Sequence, residues 1–198
     1  MYSRLKQRCE CMATEDLRKQ LGPLADLAGF WEGDKGDDIA PSDDRGAENN
    51  KYRERITFES IGPVQNHEQN LHVLRYSTRA WRIGEPNTFH EELGYWSWEP
   101  ANNQVMRCFL IPRGISLIAG GEAEMGAREF TLRAATASST FGICTNPFLD
   151  REFKIVSYEV TVKIHDSNSF SYDQDTVIQI PGQKELFHHR DRNSLKRV

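Results

Sequence analysis

"VSYEVTVKIHDSNSFSYDQDTVIQI", residues 156–180, carries the clearest periodicity in the chain. Val156, Tyr158, Val160, Val162 and Ile164 alternate with Ser157, Glu159, Thr161 and Lys163. After a polar turn, Phe170, Tyr172, Thr176, Ile178 and Ile180 share one side, while Ser171 and Asp173 face the other. A period of two marks a strand with one face in a core. Two such strands joined by "HDSNS" make an antiparallel hairpin.

The same pattern extends in both directions. Strands are expected at 50–60, 70–83, 87–98, 104–111, 114–123, 128–136, 152–165, 169–180 and 185–195, with a short one near 138–142. "GEPN", "EPANN" and "IPGQ" supply turns between them. Short connections without crossover helices require antiparallel pairing. A flat sheet of that many strands would leave two adhesive edges, and closure removes them. The expected fold is therefore all-β: an antiparallel up-and-down β-barrel of about ten strands, wide enough to hold one small ligand. A β-sandwich is the competing architecture.

Ahead of the strands, Thr14 and Asp16 offer an N-cap, and Leu17, Leu21, Leu24 and Leu27 form a helical stripe interrupted at Pro23. Residues 13–28 are read as one or two short helices closing an end of the barrel, and 1–12 as an N-terminal extension of the 13–198 domain. "GFWEGDKGDDIAPSDDRGAENN", 29–50, is read as a long loop because glycine and aspartate dominate it. Asp34, Asp37, Asp38, Asp43 and Asp44 do not have EF-hand spacing, so a solvated acidic loop is expected.

Composition narrows the function classes. With 198 residues and a net charge of -4, the chain lacks the dense basic surface that nucleic acid or anionic membrane requires. Its apolar runs are too short for a membrane-spanning helix. No charged-then-apolar leader opens it, so Cys9, Cys11, Cys108 and Cys144 are read as reduced thiols and the protein as cytoplasmic. Cys9-x-Cys11 has no second pair nearby to complete a zinc site. No G-x-S-x-G, H-E-x-x-H or P-loop motif is present.

Three stretches point further. "LGPLADLAGFWEGDKG" places Gly29, Trp31 and Gly33 after a helix, "FHEELGYWSWEP" carries an H-x-E-x-G-Y pattern, and "VMRCFLIPRGISLIAGGEAE" reads as a hairpin. In this order and spacing, from about residue 20 to the C-terminus, the chain resembles the nitrobindins. These are haem-binding β-barrels related in shape to fatty-acid-binding proteins and lipocalins.

The resemblance implies ferric haem b held by a histidine of the last strand, nitric oxide as ligand and, in some members, isomerisation of peroxynitrite to nitrate. Carried onto this chain, it makes His189 the iron ligand, with His188 as second choice. It makes Phe89, His90 and Ile111 the cofactor-binding residues. With Phe89 and Ile111 the distal side is expected to be largely apolar. His90 is either a hydrogen-bond donor near the cavity mouth or a strand histidine touching Glu92. Arg190-Asp191-Arg192-Asn193 stand where the family usually has small and apolar residues. Arg190 or Arg192 is expected to pair with a propionate or to stack on Trp31. The expected partners are a small molecule and, in a homodimer, a second copy of the chain. The alternative is a haem-free carrier of a small apolar or amphipathic ligand.

Overall fold

Alternating sequences of this kind close into a barrel in the computed structural model, which describes Asp16 and residues 19–198. The extension 1–12 with Cys9 and Cys11, the proposed cap at Thr14, and Leu17 lie outside the described residues. The strands are β1 (Gly29–Pro41), β2 (Ala47–Asn66), β3 (Gln69–Arg82), β4 (His90–Glu99), β5 (Gln104–Ile111), β6 (Ile115–Glu122), β7 (Glu129–Ala135), β8 (Ile143–Thr145), β9 (Lys154–Asp166), β10 (Ser169–Gln179) and β11 (Phe187–Arg197). All ladders between them are antiparallel. The order β5-β4-β3-β2-β1-β11-β10-β9-β7-β6 returns on itself through β5–β6. The barrel is closed and up-and-down, not a sandwich, and β8 is an extra strand on the outside edge of β6. The short strand expected near 138–142 lies at 143–145.

The base of the barrel is closed from below. Leu21, Leu24 and Leu27 are buried, the last two on the 3-10 helix Gly22–Leu27, which carries Pro23 in its first turn, where no backbone N–H is needed. They pack with Trp31, Trp96, Trp98, Phe58, Phe130 and Phe170 in one apolar cluster. The indole N–H of Trp31 donates to the Leu27 carbonyl at 2.7 Å, fixing the plug to β1. Arg197 lies over the Trp31 ring at 4.2 Å and donates to the carbonyls of Asp26 and Ala28. The cation–aromatic contact expected of Arg190 or Arg192 is therefore made by Arg197. Arg192 instead pairs with Asp37 at 2.8 Å.

The largest departure is residues 29–50. They are not a solvated acidic loop: Gly29–Pro41 is a full strand paired with β2 on one side and β11 on the other, and β2 already starts at Ala47. Composition misleads here because its two interior glycines are there for clearance. A Cβ on Gly36 would lie 2.5 Å from the Tyr52 ring, and one on Gly33 would lie 2.9 Å from the Asn193 side-chain amide. Both distances are below any real carbon contact, so side chains of the neighbouring strands pass directly over β1 at these two points. Asp38 is buried on the inner face.

This assignment is testable by Gly36→Ala. In an exposed loop the change would stay within about 0.5 kcal/mol. Pressed against the buried Tyr52 ring it should cost about 2 kcal/mol in urea unfolding.

Candidate functional site

The strand ends opposite the plug form the mouth, bounded by Pro41, Ala47, Arg82, Phe89, Ile111 and Phe187. Between mouth and apolar base lies a layer of inward-facing polar side chains that belong to two hydrogen-bonded groups.

The first centres on an ion pair inside the barrel. Arg107 of β5 and Glu92 of β4 meet at 2.5 Å, with side chains 10% and 5% exposed. Removing two ions from water costs several kcal/mol each, so such a pair persists only when its remaining groups are also satisfied. Tyr76 donates to Glu92 at 2.9 Å, and the His90 Nε2 lies 3.1 Å from its other oxygen. Arg107 donates to the hydroxyls of Tyr76 and Tyr158 and to the Gln174 side-chain oxygen. Its guanidinium also lies 4.4 Å from the Phe109 ring centre and 5.2 Å from that of Trp96. Burial pushes the Glu92 carboxyl up, but the Arg107 charge and the His90 and Tyr76 hydrogen bonds outweigh it and bring it to about 2. Burial disfavours a charged His90, yet the hydrogen bond and charge of Glu92 win, and its pKa is raised.

The second group crosses β1. Tyr52 of β2 passes over Gly36 and donates to Asp191 of β11. The Tyr52 and Tyr172 hydroxyls are 2.7 Å apart. The Tyr172 hydroxyl is 2.9 Å from Glu54, and Asn193 of β11 reaches over Gly33 to donate to the same Glu54 oxygen at 2.8 Å. Asp38 and Asp191 sit directly opposite each other on β1 and β11. Burial, helped by the Glu92 charge, pushes Glu54 up to about 7, and burial together with the Glu54 charge likewise raises Asp191.

The two adjacent histidines are separated by the pleat. His188 faces outward, where its Nδ1 meets Asp175 at 2.7 Å. His189 faces inward between Phe187 and Asp191, half-buried, with its Nε2 2.8 Å from Asp38. Its Nδ1 makes no hydrogen bond among the described residues. One ring nitrogen held by a carboxylate and the other bare is the arrangement that presents imidazole to a metal.

Phe89 lies at the mouth, with its ring edge-on to Tyr52 at 5.9 Å and under the Arg82 guanidinium at 5.0 Å. His90 is the last residue of β4 paired to β3 and touches Glu92. Ile111 ends β5. The β4–β5 ladder reaches only Leu93–Leu110, so the two strand ends splay beyond it. There Ile111, Pro112 and Ile115 border a cleft of about 480 Å³ that extends to Glu92. Phe89, His90, Ile111 and His189 thus share one end of the barrel, but the space below them is not apolar. Arg107, Tyr52, Tyr158 and Gln174 occupy inward positions beneath the rim.

The sequence reading missed these polar residues, although a signal existed. Glu54 occupies an inward phase in Tyr52-x-Glu54-x-Ile56-x-Phe58, and Arg107 does so in Val105-x-Arg107-x-Phe109. A charge at a core phase of a strand must find a buried partner.

With this geometry in view, the comparisons become informative. Residues 20–197 match the family described as the THAP4-like, heme-binding beta-barrel domain. The chain belongs to this family, the nitrobindins. A solved structure of similar shape is Rv2717c from M. tuberculosis, at 22% identity, TM-score 0.64, 88% of this chain and 94% of that chain. At that identity it supports the fold alone. None of the curated proteins matches in sequence. Haem binding is thus a property of the family to which this barrel belongs.

Within this nitrobindin-family barrel the ion pair can be probed directly. Arg107→Met leaves Glu92 buried without its counter-ion and should cost about 3–5 kcal/mol in urea unfolding. Adding Glu92→Gln to that variant should restore a large part of the loss, because the unpaired charge is gone.

Proposed function

We propose that this protein binds ferric haem b at the barrel mouth through His189 and takes nitric oxide as its ligand there. The family supports the cofactor. The single observation supporting the ligand is that, of the two adjacent histidines, only His189 lies on the inner face, with one ring nitrogen on Asp38 and the other bare. When bound, the haem supplies an iron that takes nitric oxide and can rearrange peroxynitrite to nitrate. Turnover, if measured, is therefore expected as peroxynitrite isomerisation.

The chain's own residues have defined tasks in this reading. Asp38 accepts the His189 N–H, fixes the ring orientation and makes the free nitrogen a better donor. Phe89 and Ile111 shield the mouth from water. His90, held by Glu92 at the inner side of its ring, offers its remaining ring N–H to a bound anion such as peroxynitrite. The exposed apolar residues Leu93, Tyr95, Leu110 and Ile118 sit together on the outer face of β4–β6, and we assign them to the homodimer contact.

Haemin titration followed by absorbance tests the proposal. Wild type and His188→Ala should develop a Soret band, and His189→Ala should lose it. Asp38→Ala should weaken haemin binding by about 10–100-fold. No haemin uptake by folded wild-type protein, with an organic ligand found instead by native mass spectrometry, would replace this reading with that of a haem-free carrier.

A further inference from the structure

The row Asp191–Tyr52–Tyr172–Glu54 poses a question of proton counting. Four oxygen acids make three successive contacts: Tyr52 with Asp191, Tyr52 with Tyr172 at 2.7 Å, and Tyr172 with Glu54 at 2.9 Å. Each contact needs one proton between its oxygens, and each phenol carries one. Burial raises both phenols, so neither is ionised near neutral pH. Two phenolic protons cannot fill three hydrogen bonds, so a third proton belongs to a carboxyl at an end of the row.

Position decides which end. Asp191 lies toward the mouth and is partly exposed, so water can solvate its charge. Glu54 is buried, and among the described residues no cation touches it. The groups facing it are Thr78 from β3, Glu92 from β4, Tyr172 from β10, and Asn193 and Asp191 from β11, with Asp38 of β1 opposite Asp191. The nearby cation Arg107 is committed to Glu92. Three neutral donors, facing three further carboxylates, cannot hold a bare charge in that place. With Asp191 as acceptor, Tyr52 donates to Asp191, Tyr172 donates to Tyr52, and Glu54 donates to Tyr172.

We infer that Glu54 is a neutral carboxylic acid that stores one proton inside the barrel, at the inner end of a hydrogen-bonded relay through Tyr172 and Tyr52 toward the mouth. The relay is built rather than incidental: Gly36 gives Tyr52 its path over β1, and Gly33 does the same for the Asn193 amide that holds Glu54. A move along it is balanced. The Glu54 O–H breaks as Tyr172 gains that proton, Tyr172 passes its own to Tyr52, and Tyr52 passes its own to the Asp191 carboxylate at the mouth. Three O–H bonds break and three form, with the negative charge left on Glu54. Replacement comes from outside the wall. Tyr172 and Asn193 border an outer cleft of about 310 Å³, with Lys35 and Ser171, where β1 and β11 lose register. The inference does not depend on haem.

Infrared spectroscopy of the haem-free protein tests it. At pH 6 the wild type should show the carbonyl stretch of a protonated carboxylic acid, and the band should fade as pH rises through about 7. Glu54→Gln should abolish the band. Tyr172→Phe should keep it at a shifted frequency, because the acid has lost its acceptor, and serves if Glu54→Gln does not fold. Carbon NMR of ring-labelled tyrosine reads the relay itself. Tyr52 and Tyr172 should shift together as Glu54 ionises, and Tyr52 should stop responding in Tyr172→Phe. Stability gives a third readout. The folded state holds this proton more tightly than the unfolded chain, whose carboxyl titrates near 4.5. Stability should therefore fall as pH rises from 4.5 to about 7 and level off above, with a shallower fall in Glu54→Gln. A wild-type protein without the band at pH 6, a band that survives Glu54→Gln, or a Tyr52 response unchanged in Tyr172→Phe would overturn the inference.

Discussion

The interior of this barrel depends on a strand that is thin in two places. β1 closes the sheet between β2 and β11, and in a closed barrel side chains on non-adjacent strands are separated by whatever stands between them. Gly33 and Gly36 remove that obstacle. Tyr52 reaches from β2 to β11, and Asn193 reaches from β11 to β2. The side chains that cross β1 tie its two neighbours together above the backbone ladder. An alanine at either glycine would collide with a group that has nowhere to retreat.

A ten-stranded barrel is too wide for aliphatic side chains alone to fill. This chain solves the problem in layers. Aromatic rings and the 3-10 plug fill the base. Tyrosines and charged groups fill the middle, each held by several partners. Only the rim is left for apolar Phe89, Ile111 and Phe187. The middle layer is expensive in desolvation and specific in geometry, since any shift of β4 against β5 would part Glu92 from Arg107. It also gives the mouth a polar floor. Any ligand seated between Phe89 and His189 lies above tyrosine hydroxyls and a guanidinium, so hydrogen-bond donors are close to it from below.

Much of this was legible in the sequence, for identifiable reasons. Inward alternation from Val156 to Ile180 dictated strands and a hairpin, because only a pleated strand places every second residue on one face. The number of such strands and their short connections implied closure. Leu21, Leu24 and Leu27 announced the plug. The same period placed Phe187 and His189 on one face and Leu186 and His188 on the other, and the family resemblance preferred His189, with His188 as second choice. Glycine and aspartate in 29–50 were read by composition, and the strand they form was missed. Local propensity there is weak, and pairing on both sides overrides it.

By itself, then, the sequence determined the strands after the first, their antiparallel order and that the two histidines lie on opposite faces, since these follow from a two-residue period and short turns. Only the tertiary structure decided which charges meet. Glu92 and Arg107 are 15 residues apart, Tyr52 and Asp191 are 139 apart, and His189 and Asp38 are 151 apart. No local pattern encodes such pairs. They exist because closure brings the first and last strands side by side, and because burial leaves a charged group no partner except the one that the barrel's curvature places within reach.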